Sequence, residues 1–102
     1  MASGVAPFGV FLCGSGMGIM IAANKVDGVR AALVYDEFSA EMSRRHNDAN
    51  VACLGGRVLA HERIARLVDL FLATPFEGGR HAARVAKIGD IEREEARRRA
   101  SC

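Results

Sequence analysis

Val10-Phe11-Leu12-Cys13-Gly14-Ser15-Gly16-Met17-Gly18-Ile19-Met20-Ile21-Ala22-Ala23-Asn24 decides the fold. An apolar run from Phe8 to Leu12 ends in Cys13, and Gly14, Gly16 and Gly18 follow before an apolar, alanine-containing segment. That order predicts strand, glycine-rich turn and helix. The glycines let the backbone approach a ligand closely, and the helix behind them aims unpaired N–H groups into the turn. The stretch therefore offers a seat for an anion: a phosphate, a carboxylate or an oxyanion formed during reaction. Cys13 stands at its rim. The spacing is neither GxGxxG nor a P-loop, because the third glycine comes one residue early and no GK[ST] follows.

Outward from this stretch, the composition describes one small domain. The chain has 102 residues, 50% of them hydrophobic and 25% charged, with a formal net charge of +2. No basic block dominates the body of the chain, which speaks against a nucleic-acid binder. No apolar run has the length of a membrane span. Met1-Ala2-Ser3-Gly4 lacks the basic-then-apolar pattern of a signal peptide. Cys13, Cys53 and Cys102 are odd in number and lack CxxC spacing, so free thiols in a cytoplasmic protein are expected rather than disulfides or a metal site.

Further along, Asp27-Gly28 predicts a turn and Val29 to Tyr35 a second buried strand. Asp36 reads as an N-cap for a helix over Glu37 to Arg45, with Phe38 and Met42 on one face. His46-Asn47-Asp48 ends it. Asn50 to Leu54 predicts a third strand, stopped by Gly55-Gly56. Ile64, Leu67, Val68, Phe71 and Leu72 mark an amphipathic helix over Glu62 to Ala73, closed by Pro75. After Glu77-Gly78-Gly79, a last helix is expected over about Arg80 to Arg99. Its inner residues would be Ala83, Val85, Ile88 and Ile91, with Gly89 as a weak point. Alternating strands and helices predict an α/β fold with a parallel sheet whose ligands gather at the carboxyl ends of the strands. Three strands leave two raw edges, which a fourth strand from another part of the fold or from a partner chain could cover.

Three groups of residues offer chemistry. Cys13 beside a helix N-terminus has the setting of a reactive thiolate, or of a small apolar residue at a strand end. His46, followed by Asn47, could exchange protons at a helix end or simply cap it. Arg57 follows Gly55-Gly56, while Arg80, His81 and Arg84 follow Gly78-Gly79. Arg80 and Arg84 share a helix face, a fork for phosphate or a solvated basic face.

Taken together, these segments resemble the type B ribose 5-phosphate isomerases and the related galactose 6-phosphate isomerase subunits. The resemblance is carried by Phe11 to Gly18 with Ile21 to Val26, by Val29-Arg30-Ala31-Ala32, by Ser43-Arg44-Arg45-His46-Asn47-Asp48-Ala49-Asn50-Val51, by Leu54-Gly55-Gly56-Arg57-Val58, and by Phe76 to Val85. It spans about residues 8 to 91, in order and with matching spacing.

The resemblance implies a three-layer, Rossmann-like α/β fold with a parallel sheet flanked by helices. It implies a single partial isomerase domain over 1–102, truncated by two βα units at the N-terminus, while the charges of 92–102 read by themselves as a solvated helix end or tail with i,i+4 pairs. It implies aldose–ketose isomerisation of ribose 5-phosphate through an enediolate, without metal or organic cofactor. Cys13 would be the base that moves the proton between C2 and C1. Some relatives carry a glutamate just after the glycine turn, where this chain has Ile19. Gly14, Ser15, Gly16 and Gly18 would hold the enediolate, and His46 would help open the sugar ring. Asn47 would bind sugar oxygens. Arg57, Arg80 and Arg84, with His81, would bind phosphate. The family assembles as dimers or tetramers whose sites draw on two subunits, so a homodimer or tetramer is expected. A non-catalytic phosphosugar-binding or subunit-like module and an inactive fragment remain the alternative readings.

Overall fold

A computed structural model describes residues 8–101; the expectations on Met1-Ala2-Ser3-Gly4 and on Cys102 lie outside them. The elements are β1 (Gly9–Cys13), α1 (Met17–Ala23), β2 (Ala31–Leu33), α2 (Glu37–Arg45), β3 (Val51–Gly55), α3 (His61–Ala73) and α4 (Arg80–Ser101). The strands form a parallel sheet in the order β1-β3-β2. The chain thus passes from β1 over β3 to β2 and then returns, which for right-handed crossovers puts α1 and α2 on opposite faces.

β3 shows why the sheet is the centre of the molecule. It is buried along its whole length. Ala52 and Leu54 pack with Val34, Ala40, Leu67 and Phe71 on the side of α2 and α3. Val51 and Cys53 pack with Ala23, Val29, Phe11 and Ile19 on the side of α1. A strand covered on both faces reads as a continuous apolar run, as Val51-Ala52-Cys53-Leu54 does. The expected three-layer α/β architecture is present.

The element boundaries differ from the sequence expectation in physical detail. β1 ends on Cys13, so the cysteine is a strand residue with Gly55 as its register partner. β2 is only three residues long, where Val29 to Tyr35 was expected. Its flanks still touch β3, since the Val34 N–H donates to the Cys53 carbonyl at 2.9 Å and the Val51 N–H to the Arg30 carbonyl at 3.3 Å, and side chains complete the bonding. Asn24 accepts from the Ala31 N–H at 2.8 Å and donates to the Ala31 carbonyl at 3.0 Å, sealing the outer edge. Asn50 accepts from the Arg30 N–H at 2.8 Å and donates to the Gly28 carbonyl at the same distance. Tyr35 turns outward and is exposed. Asp36 caps α2 as expected, accepting from the Ser39 N–H at 2.8 Å while Ser39 Oγ accepts from the Asp36 N–H at 3.1 Å. Phe38, placed on the apolar face with Met42, is exposed.

α4 departs furthest from expectation. It runs through Gly89 without a break; one helical glycine costs only about 1 kcal/mol. Of the four residues expected inside, Val85 is half-buried, Ala83 is exposed, and Ile88 and Ile91 are 44% and 65% exposed. The 92–102 stretch is also not wholly a solvated end. Glu92 accepts the Gly28 N–H at 2.9 Å and Arg99 pairs with Asp27 at 3.7 Å, while Glu94 pairs with Arg98 at the expected i,i+4 spacing and Glu94–Arg97 and Glu95–Arg98 pair at i,i+3.

Candidate functional site

The Cys13 end of the sheet is built by two close backbone approaches. Gly16 sits at φ 85, and a side chain there would meet Leu33 Cδ1 at 2.7 Å and the Leu54 carbonyl carbon at 3.0 Å. A side chain at Gly55 would lie 2.8 Å from the backbone carbon and oxygen of Ser15. The turn therefore folds back onto the end of β3. The Gly56 N–H donates to the Cys13 carbonyl at 2.7 Å and the Arg57 N–H to the Gly14 carbonyl at 3.1 Å, fastening one to the other.

Within this frame the Gly16 N–H donates to Cys13 Sγ at 3.1 Å. Backbone N–H groups, Ile19 first and then Gly16, Ser15 and Gly18, hold the thiol below its ordinary value against the opposing effect of partial burial. The sulfur is half-buried rather than sealed. A ring of donors that favours a thiolate also favours a negative oxygen placed beside it. Arg57 joins this end: its Cδ lies 3.4 Å from where a Gly14 side chain would begin.

His46 and His81 are elsewhere. His46 is the C-cap of α2, and its ring stacks on that of His81, with centroids 4.0 Å apart and planes 11° from parallel. The loop after His46 enters β3 at Val51, whereas Cys13 pairs with Gly55 at the strand's other end. Four steps of about 3.3 Å separate the two ends. Arg80 and Arg84 are exposed on the first turns of α4, and their charges act on His81. His81 is held below its ordinary value by burial, then by His46, with Glu77 pulling the other way and the two arginines adding to the depression. Asn47 is exposed and lines a hollow of about 710 Å³ with Ser43, Arg30, Ile88, Ile91 and Glu92. Within one chain, the structure brings Cys13, Gly14, Ser15, Gly16, Gly18 and Arg57 together at the carboxyl end of the sheet. It gathers His46, His81, Arg80 and Arg84 at the amino end. No hydrogen bond or ion pair joins the two groups among the described residues.

Two residues of the second group carried no expectation. Arg44 is buried and knits three segments. It donates to the Thr74 carbonyl at 3.1 Å and to Asp48 Oδ1 and the Ala49 carbonyl at 2.8 Å, and it lies over the Phe8 ring at 4.8 Å. It thereby fixes the turn that carries His46, where Asp48 adopts φ 47. Glu77 stands one helical step before His81, with its N–H donating to the Arg45 carbonyl at 3.0 Å. The Glu77-to-His81 spacing of four was a readable signal for the pair.

Comparison with known proteins adds an independent line. Residues 1–88 match the family model described as Ribose/Galactose Isomerase. The chain is 46% identical over 92 residues to the ribose-5-phosphate isomerase B of Escherichia coli, covering 90% of this chain and 62% of that protein. It superposes on the type B ribose 5-phosphate isomerase of Trypanosoma cruzi with a TM-score of 0.89 and 52% identity, covering 91% of this chain and 63% of the other. The ribose-5-phosphate isomerase B of Mycoplasma genitalium, solved with bound ribulose-5-phosphate, is similar at a TM-score of 0.83 and 48% identity, covering 85% and 57%. The chain thus spans about three fifths of the length of these relatives.

Proposed function

The chain belongs to the ribose/galactose isomerase family, and we propose that it serves aldose–ketose isomerisation of a sugar phosphate, ribose 5-phosphate to ribulose 5-phosphate, as one partial domain over 1–102. The observation that carries this reading is the Cys13 thiol held by N–H groups at the end of β1.

With the ring opened, the Cys13 thiolate takes the proton from C2. The C2–H electron pair becomes the second bond between C1 and C2, and the aldehyde oxygen takes up negative charge. The N–H groups of Ser15, Gly16 and Gly18 are the donors for that charge. A proton passes from the C2 oxygen to the C1 oxygen, and the Cys13 thiol returns its proton to C1. The product is the ketose and the thiolate is restored. His46 helps open the ring by taking the proton of the C1 hydroxyl as the C1–O4 bond breaks and returning it to O4, Asn47 binds sugar oxygens, and Arg57, Arg80, Arg84 and His81 hold the phosphate.

Cys13 and His46 lie at opposite ends of one chain's sheet, so one sugar reaches both only if a second copy supplies the His46 group. The exposed apolar side chains of Leu12, Ile21 and Ile91 support such an assembly, a homodimer or tetramer. No helix among the described residues is long and apolar enough to cross a membrane. The free thiols Cys13 and Cys53 support a cytoplasmic setting. The test is ribulose 5-phosphate formation by the purified chain. Turnover is expected, and Cys13→Ala should lower it by about two to four orders of magnitude while phosphate still binds. A variant that kept more than about a tenth of the rate would remove Cys13 as the base. Phosphosugar binding without turnover in the unaltered chain would replace the isomerase by the binding-module reading.

A further inference from the structure

The amino end of the sheet carries a buried imidazole edge without a partner among the described residues. His81 is 4% exposed, and its Nε2 has no hydrogen-bond partner among the described residues. Glu77 Oε1 stands 3.6 Å from it. His46 stacks on the His81 ring, so a second imidazole edge stands alongside. One donor atom from each of the three residues lies within 4.8 Å of the other two. We propose that His46, Glu77 and His81 form a binding site for a divalent transition-metal ion of the zinc type.

Two imidazoles and one carboxylate are the donor set of open zinc sites, which leave a further position to water. Metal–ligand bonds of about 2.0–2.2 Å put donor atoms about 3.3 Å apart. Closure therefore asks the widest pair to approach by about an ångström or more. Glu77 Oε1 already stands 3.6 Å from His81 Nε2, so the movement falls on His46, whose ring turns out of the stack to aim an in-plane lone pair at the same ion. His81 is the fixed point, held by burial. The hydrogen bond from the Glu77 N–H to the Arg45 carbonyl keeps the carboxylate beside the end of α2, where His46 sits. Arg80 and Arg84 oppose a dication, and Glu77 is the carboxylate that offsets them. Hard, oxygen-seeking ions such as magnesium fit this nitrogen-rich set poorly. An ion held here occupies both imidazoles and takes His46 out of ring opening. That consequence rests on the isomerase reading, whereas the binding itself does not.

The test is equilibrium dialysis of the full chain against zinc chloride in phosphate-free buffer, with magnesium chloride in parallel, followed by X-ray absorption at the zinc edge. We expect zinc held by nitrogen and oxygen ligands, and no retained magnesium. Glu77→Gln and His46→Ala should each weaken zinc at least about tenfold. Both replaced residues are solvent-accessible, and circular dichroism checks that the variants fold. Sulfur ligation, unchanged affinity in both variants, or no zinc uptake would overturn the site while leaving the isomerase assay unaffected.

Discussion

Cys13 and Cys53 point to the same side of the sheet, two residues apart in register, yet their surroundings push them in opposite directions. N–H groups hold the Cys13 thiol down, Ile19 contributing most, while burial and then the charge of Cys13 push the Cys53 thiol up. Cys53 is also fully buried. Iodoacetamide at neutral pH should therefore modify Cys13 well before Cys53, and inorganic phosphate should slow that reaction. Mass mapping of the alkylated chain checks this, and equal labelling of the two would contradict it. His81 gives the pH dependence of the fold. Its pKa is depressed below 6.5, so as pH falls through that value the unfolded chain takes the proton first and stability is lost towards the lower folded value. Melting temperature should fall more steeply below pH 6.5 in the unaltered chain than in His81→Gln. The Cys13 position was legible in the sequence because a strand end followed by spaced glycines has few other uses. The burial of His81 was not, because it depends on stacking against a residue thirty-five positions away.

At the scale of elements, the β1–α1 turn and the end of β3 act as one unit. Gly55 admits the Ser15 backbone to a distance that no side chain would allow. Gly55→Ala should destabilise the chain by about 1–3 kcal/mol, the usual cost of overpacking. It should also push the turn off Cys13 and slow its alkylation. Chemical denaturation and the labelling rate measure the two effects, and a stable variant with unchanged labelling would separate the turn from β3. The strands, the Asp36 cap and the α3 face were readable because each depends on local spacing. Leu67 and Phe71 are indeed fully buried. Leu72, read on the same apolar face, is 45% exposed, and Ile88 and Ile91 of α4 are exposed as well. Periodicity identifies an apolar face but not whether this chain supplies what covers it. The resemblance gives Cys13 and His46 to sites that draw on two subunits, whereas motif order alone says nothing about which end of a strand each motif occupies.

At the scale of the whole molecule, the proposed pairing of copies would account for both the uncovered apolar surface and the separation of Cys13 from His46. Val10 and Leu12 share the register side of Ala52 and Leu54 but are 38% and 57% exposed. Ile21 and Ile91 are also more than half exposed. Light scattering at micromolar concentration should accordingly report a dimer or larger, and Leu12→Glu should shift it towards the monomer. If copies pair so that Cys13 of one meets His46 of the other, two dead variants can repair each other. Cys13→Ala and His46→Ala, each inactive alone, should recover ribulose 5-phosphate formation when unfolded together and refolded as a mixture. Random pairing gives half mixed dimers with one intact site each, about a quarter of the unaltered activity. A mixture no more active than either variant alone would contradict a site assembled from Cys13 and His46 of two copies.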